Sequence, residues 1–187
     1  MRRAATTVTI PTHSSGVTAH RREWCCTIGT MGTSDTTTPR IAATGTVVSI
    51  GYEGKTVGDL VARLLEQDVR VLVDVRLTPL SRKPGLSKTK LSEALAAVGI
   101  SYVHHRALGN PKDNRAGFRA GEPESRARYR DVLDGAAATE ALAHVCELLD
   151  GGVVALLCFE HHHAECHRDI VVRRLMKARP DAAVVHV

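Results

Sequence analysis

Val153-Val154-Ala155-Leu156-Leu157 runs directly into Cys158-Phe159-Glu160-His161-His162-His163-Ala164-Glu165-Cys166-His167-Arg168. The first five residues are continuously apolar, as a strand covered on both faces must be. A polar stretch follows, and from Asp169 an amphipathic run reads as helix. Strand, polar loop and helix in that order form the repeating unit of a parallel α/β sheet. In such sheets ligands bind where strand ends and helix N-termini converge. Two thiols, four imidazoles, two carboxylates and a guanidinium crowd into this one loop.

Similar units lie upstream. Thr46-Val47-Val48-Ser49-Ile50 is a short β-branched run ending at Gly51, a strand with a turn after it. Thr56 with Asp59 three residues later forms a capping box, and Val57, Leu60, Val61 and Leu64 follow as an apolar helical stripe. Val69 to Val75 reads as a second buried strand. Ser87 starts a helix with the stripe Leu91, Leu95 and Val98 and a stop at Gly99. Ile100 to His105 is the third strand, and 106–123, with its glycines and prolines, reads as a long loop. Helix is predicted over about 124–149 with a break at Gly135, then over 168–178, before a last strand from Ala183 to Val187. Alternating strands and helices require parallel pairing through right-handed crossovers. The expected fold is α/β, a Rossmann-like three-layer sandwich with a mainly parallel five-stranded sheet.

The regular pattern begins only near residue 45. Residues 1–44 are rich in Thr, Ser, Gly and Ala, have no sustained period, and are expected to be a disordered extension or the product of a misplaced start. Residues 45–187 are expected to form a single α/β domain. The first 44 residues carry five Arg against two acidic groups, so they supply +3 of the net charge of +5. The folded part is nearly neutral, and overall basicity is weak support for a nucleic-acid partner. No apolar run is long enough for a membrane span, so no membrane partner is expected. Five cysteines, an odd number with only Cys25 and Cys26 adjacent, fit reduced thiols and a cytoplasmic location better than a disulfide framework.

On a parallel sheet, Gly51-Tyr52-Glu53-Gly54-Lys55, Asp74-Val75-Arg76, His104-His105-Arg106 and the Cys158–Arg168 loop all fall at the carboxyl edge. Convergence of four polar loops predicts a pocket. Four ordered motifs carry a resemblance there: Ile50-Gly51-Tyr52-Glu53-Gly54-Lys55; Asp74-Val75-Arg76 with Pro79-Leu80-Ser81-Arg82-Lys83-Pro84-Gly85; Ala107-Leu108-Gly109-Asn110; and Cys158-Phe159-Glu160 with Cys166-His167-Arg168. Together they resemble the domain of unknown function 488 family, from about Thr46 to Val187. The resemblance implies a Rossmann-like domain in a bacterial cytoplasmic protein and no particular reaction. His161-His162-His163 falls where such proteins carry a variable, often acidic stretch, and no role is assigned to it.

Several familiar chemistries fail on spacing. Gly54-Lys55-Thr56 looks like the end of a phosphate-wrapping Walker loop, but Ser49 stands where the first glycine is needed. Asp74-Val75-Arg76 resembles the end of an early rhodanese strand. Yet neither Cys158 nor Cys166 has an arginine at the five-residue spacer of a cysteine phosphatase loop. Cys158, Cys166 and His167 are the candidate metal ligands, at a spacing unlike known zinc fingers. No cofactor is assigned.

The expectation is an enzyme, a hydrolase or transferase, whose ligand is an anionic, phosphate-containing small molecule or nucleotide. Gly51, Tyr52, Glu53, Lys55, Arg76, Arg82 and Arg168 are the expected binding residues, and Glu160, Cys166, His167 and Asp74 the catalytic ones. Two alternatives stand beside it. A nucleic-acid-binding module would use Arg82, Lys83 and Lys88 with Lys112, Arg115 and Arg119, although a 3% aromatic content gives few stacking platforms. A metal or redox cysteine site is the other.

Overall fold

The computed structural model describes residues 45–187; the expectations for residues 1–44, and for Cys25 and Cys26, lie outside them. Five strands form one all-parallel sheet: β1 (Thr46–Gly51), β2 (Val71–Asp74), β3 (Ser101–His104), β4 (Val153–Cys158) and β5 (Ala183–His186). Their order across the sheet is β3-β2-β4-β1-β5. Helices α1 (Val57–Glu66) and α2 (Lys88–Ala96) cover one face, where Leu60, Leu64, Leu91 and Leu95 pack on Val48, Ile50, Leu72, Ala155 and Leu157. Helices α4 (Pro123–Asp134), α5 (Ala136–Asp150) and α6 (Arg168–Ala178) cover the other, with Leu133, Val145, Leu149, Val171 and Leu175 against Val47, Val73, Val154 and Leu156. Successive residues of β1, β2 and β4 alternate between two apolar layers, which explains why these strands read as unbroken aliphatic runs. The Rossmann-like three-layer α/β sandwich is the observed fold.

The strand order fixes where a ligand belongs. From β1 the chain crosses to β2 and then β3; from β4 it crosses to β5 on the opposite side. Connections therefore leave the adjacent strands β2 and β4 in opposite directions, to β3 at one edge and to β5 at the other, and this divergence opens a crevice at their carboxyl ends. Gly51 pairs with Cys158 at that edge, beside the pairing of Leu157 with Asp74 and of Asp74 with His104.

Local signals explain most boundaries. Thr56 accepts from the Asp59 N–H while Asp59 accepts from Thr56 N–H at 2.8 Å, closing the capping box of α1. Gly135 separates α4 from α5, as its backbone cost in a helix demands. The expected α2 stripe is shorter than its sequence period. The helix stops at Ala96, and Val98 is 39% exposed, because the Gly99 turn sends the chain back into β3.

The larger correction concerns 106–123, which is not an open loop. It folds as 3₁₀ turns at Arg106–Leu108 and Lys112–Asn114 and a short helix α3 (Arg115–Arg119). Phe118, 1% exposed, meets Tyr129 edge to face at 5.6 Å, and Tyr129 Oη donates to Leu108 O at 2.6 Å. One buried aromatic pair supplies the apolar anchor that the Gly- and Pro-rich composition hides.

Candidate functional site

The site begins with the ends of β1 and β4. Backbone pairing continues past both strands, Tyr52 N–H donating to Cys158 O and Glu53 N–H to Phe159 O. Gly51 lies under the next peptide so closely that a Cβ there would sit 1.9 Å from Glu160 O. Only glycine lets the Phe159–His161 backbone cross at that height.

From β2 comes a buried ion pair. Asp74 is fully buried and Arg76 is 6% exposed; the guanidinium meets the carboxylate through Nε at 2.8 Å and Nη2 at 2.5 Å. Burial opposes a charged Arg76, and the Asp74 carboxylate more than offsets it, holding the guanidinium protonated. Tyr102 Oη donates to Asp74 at 2.7 Å, and burial followed by that carboxylate pushes the Tyr102 phenol up. Arg76 Nη1 also donates to Tyr52 Oη and to Leu86 O, tying the basic 79–87 loop to the sheet edge.

These elements enclose a cavity of about 360 Å³. Arg76, Arg82, Lys83, Arg115 and Arg119 line it, against Glu160 and Glu165. Asn110 and Ser81 add neutral polar groups; Leu77, Leu80, Phe118 and Phe159 supply apolar surface. Leu80 is 74% exposed and Phe159 40%. Three cations are already partly committed: Arg119 to Glu160 Oε1 at 3.3 Å, Arg115 to Asn110 O, and Lys83 Nζ to Lys55 O.

At the base lie Cys158, Glu160, Cys166 and His167, each offering one donor atom within 4.8 Å of the others. Glu160 Oε2 is 3.1 Å from Cys158 Sγ and 3.3 Å from Cys166 Sγ, and His167 Nδ1 is 3.7 Å from each sulfur. Burial alone would raise the Cys166 thiol. The hydrogen bond from Cys158 and the charges of His167 and Arg168 outweigh it and hold Cys166 well below its ordinary range. Cys158 moves the other way, through its own hydrogen bond to Cys166 and its burial. Burial alone would depress His167, but the Cys166 thiolate raises it.

The expected residues separate into three groups. Tyr52, Arg76, Arg82, Glu160, His167 and Cys158 line the cavity. Cys166 and Asp74 sit just behind it, in contact with lining groups. Gly51, Glu53, Lys55 and Arg168 are not on its wall. Glu53 accepts the His161 N–H, and Lys55 Nζ donates back to Gly51 O in the turn that enters α1. Arg168 is fully buried, donating to Ser49 Oγ, to Glu160 O and to Cys166 Sγ. It braces the loop from beneath.

His161 and His162 are exposed, whereas His163 meets Ser49 Oγ at 2.7 Å and stacks on His186 at 4.0 Å. Of the basic residues upstream and downstream, Arg82, Lys83, Arg115 and Arg119 line the wall, while Lys88 and Lys112 do not. Sequence reasoning did not single out Phe118, Asn110 or Glu165. Asn110 alone carried a signal, as the end of the Ala107-Leu108-Gly109-Asn110 motif. Cys146, Cys158 and Cys166 are all free thiols. Among the described residues no helix is long and apolar enough to cross a membrane.

No curated protein and no solved structure matches the chain. Residues 56–175 match the family described as domain of unknown function DUF488, and that span takes in the second, third and fourth motifs whole, the Lys55-adjacent helix entry and all four donor residues at the cavity base. The chain is a member of the DUF488 family.

Proposed function

We propose that the protein is an enzyme acting on a phosphate-bearing small molecule, with a nucleotide the best-fitting class. The observation that carries this reading is the cavity at the sheet's switch point, where five cations share the wall with two carboxylates. A volume of about 360 Å³ lies at the lower end of the range for small-molecule sites. Arg82 has no hydrogen-bond partner among the described residues and, with Lys83 and Arg115, is placed to meet phosphate oxygens. Arg76, neutralised and locked by Asp74, gives these cations a wall that needs no reordering on binding. The exposed faces of Phe159 and Leu80 at the mouth suit an organic portion such as a base or sugar better than inorganic phosphate alone.

Glu160 connects binding to chemistry. One oxygen is held by Arg119 and the other faces the thiols, so the carboxylate stands between the anion site and the Cys158, Cys166 and His167 group. That position suits a group that directs a water or substrate hydroxyl in a hydrolase or transferase. Cys166 is 1% exposed, which argues against direct attack by its sulfur on a bound substrate.

A thermal-shift panel of nucleoside phosphates, sugar phosphates and pyrophosphate tests the reading. A binder should raise the unfolding midpoint and weaken with salt as screening tightens. Arg82→Glu should weaken binding at least about 10-fold, the effect of losing one charge-assisted hydrogen bond and reversing its charge. Glu160→Gln should retain binding and lose turnover. If no phosphate compound shifts the midpoint, or Arg82→Glu binds as well as the native chain, the reading fails. Binding of single-stranded oligonucleotides that Lys88→Glu abolishes would favour a nucleic-acid module instead.

A further inference from the structure

The four side chains at the base of the cavity are arranged in a way that proton transfer does not require. Two sulfurs, a carboxylate oxygen and an imidazole nitrogen converge, all within 4.8 Å of one another. Bonds of about 2.3 Å to sulfur and 2.0–2.2 Å to nitrogen or oxygen give a tetrahedron with edges of roughly 3.3–3.8 Å. The four sulfur-to-oxygen and sulfur-to-nitrogen edges here are 3.1, 3.3, 3.7 and 3.7 Å. Three of them fall within that range and the shortest lies just below it, while the remaining two edges are no longer than 4.8 Å.

The surroundings orient each donor. His167 Nε2 lies 3.0 Å from Val75 O, and a carbonyl only accepts, so Nε2 carries a proton and Nδ1 is the nitrogen that faces the two sulfurs, with its lone pair free once its own proton has left. Arg168 Nε donates to Cys166 Sγ at 3.3 Å, and Arg119 holds Glu160 Oε1, leaving Oε2 turned inward. Tyr129 packs edge-on against the His167 ring at 5.3 Å and fixes its plane. Cys158, Cys166 and His167 are buried, and Glu160, whose side chain is 16% exposed, is the most open of the four donors to the cavity.

We propose that Cys158, Glu160, Cys166 and His167 form a binding site for one zinc-class divalent cation. Two thiolates and an imidazole are too soft a set for magnesium or calcium, which take oxygen ligands, and they match tetrahedral zinc. Binding displaces the Cys158 thiol proton and the proton that Cys166 and His167 Nδ1 share, both of which pass to solvent; no electron is transferred. The ion also offsets the repulsion among two thiolates and a carboxylate brought within hydrogen-bond distance. Three donors close the site on the protein side. The Glu160 bond is the one that water or a substrate oxygen can displace, as in catalytic zinc sites with three firm protein ligands. The site stands on these four side chains and does not depend on which anion enters the cavity.

Zinc should be titrated into the full chain against a competing chromophoric chelator, with a parallel sample loaded with cobalt(II). The expected result is one zinc per chain with proton release, and a cobalt spectrum showing a thiolate charge-transfer band and the intense visible bands of four-coordinate metal. Cys158→Ser and Cys166→Ser should each weaken zinc binding more than about 100-fold, beyond the loss from removing an outer partner, and Glu160→Gln about 10-fold. His161→Ala and His162→Ala should bind as the native chain does. Absence of the thiolate–cobalt band in the folded native chain overturns the proposal, as does zinc affinity unchanged in Cys158→Ser. Should the serine variants fail to fold, the native cobalt spectrum and proton count decide. Pyrophosphate binding without zinc binding removes the metal and spares the anion reading; the converse removes the anion reading alone.

Discussion

At Arg76 the chain places a guanidinium, 6% exposed, on a carboxylate with no exposure at all. Such a pair gives little net stability relative to apolar residues, but deleting one partner strands the other. Arg76→Ala should therefore cost about 3–5 kcal/mol in urea unfolding, whereas Arg82→Ala on the same cavity wall should cost less than about 0.5 kcal/mol. Equal costs would mean the pair is not closed as described. His163 gives a separate expectation. Burial, then the positive charges of His186 and Arg168, push its pKa from 6.5 down to about 4, with Asp169 pulling the other way. As pH falls from 6.5 toward 4 the unfolded chain takes up this proton before the folded one, so stability present above 6.5 is lost on acidification. The ring is partly reached by solvent, so the loss at about pH 4.5 should be on the order of 1–2 kcal/mol. His163→Gln, which can keep a hydrogen bond to Ser49, should flatten that part of the stability–pH curve; an unchanged slope would assign it to other groups.

Among the elements, β4 and the loop after it carry the four clustered donors, and β1 sets the height of that loop. Gly51→Ala forces the Glu160 peptide away from the sheet, because the obstacle is backbone and cannot rotate aside. We expect a stability loss above about 2 kcal/mol together with weakened zinc and pyrophosphate binding. Gly58 is the useful contrast. It lies exposed near the start of α1 with only Thr56 Oγ1 near a prospective Cβ, at 3.7 Å. Gly58→Ala should stabilise by about 0.5–1 kcal/mol and leave ligand binding alone. A pair of thermal midpoints moving in opposite directions, with affinity lost only in Gly51→Ala, checks the assignment.

For the whole molecule, the cation site joins parts distant along the chain. Val75 after β2 orients His167 at the start of α6, Arg119 in α3 holds Glu160, and Tyr129 in α4 packs on the imidazole. Binding a ligand only to the folded state adds about 2.7 kcal/mol when its free concentration is 100 times Kd. Chelation of zinc from the loaded chain should therefore lower the unfolding midpoint by roughly 5–10 °C, at about 2–4 °C per kcal/mol for a chain of this size. Restoring zinc should restore the midpoint, and restoring magnesium should not. A midpoint indifferent to chelation would separate the thiol cluster from global stability.

The linear chain by itself determined the parallel sandwich. Apolar strands such as Val153–Leu157 can be stable only between two helical layers, and alternation of strands with helices leaves parallel pairing as the outcome. It also pointed to the edge where the cavity lies, since the polar residues after the strands of a parallel sheet gather at its carboxyl edge. What it did not contain was distance and facing. Arg168 looks like an anion ligand in sequence, yet its side chain turns inward to Ser49 and Cys166 because the first turn of α6 lies against β1. Residues 106–123 look like an open loop, and the Phe118–Tyr129 contact that orders them joins segments whose separate compositions give no hint of it. Glu160 enters the Cys–Cys–His cluster because Arg119 meets one of its oxygens and the thiols meet the other. Periodicity reports which residues are buried together; three-dimensional packing alone decides which lone pairs meet at a point.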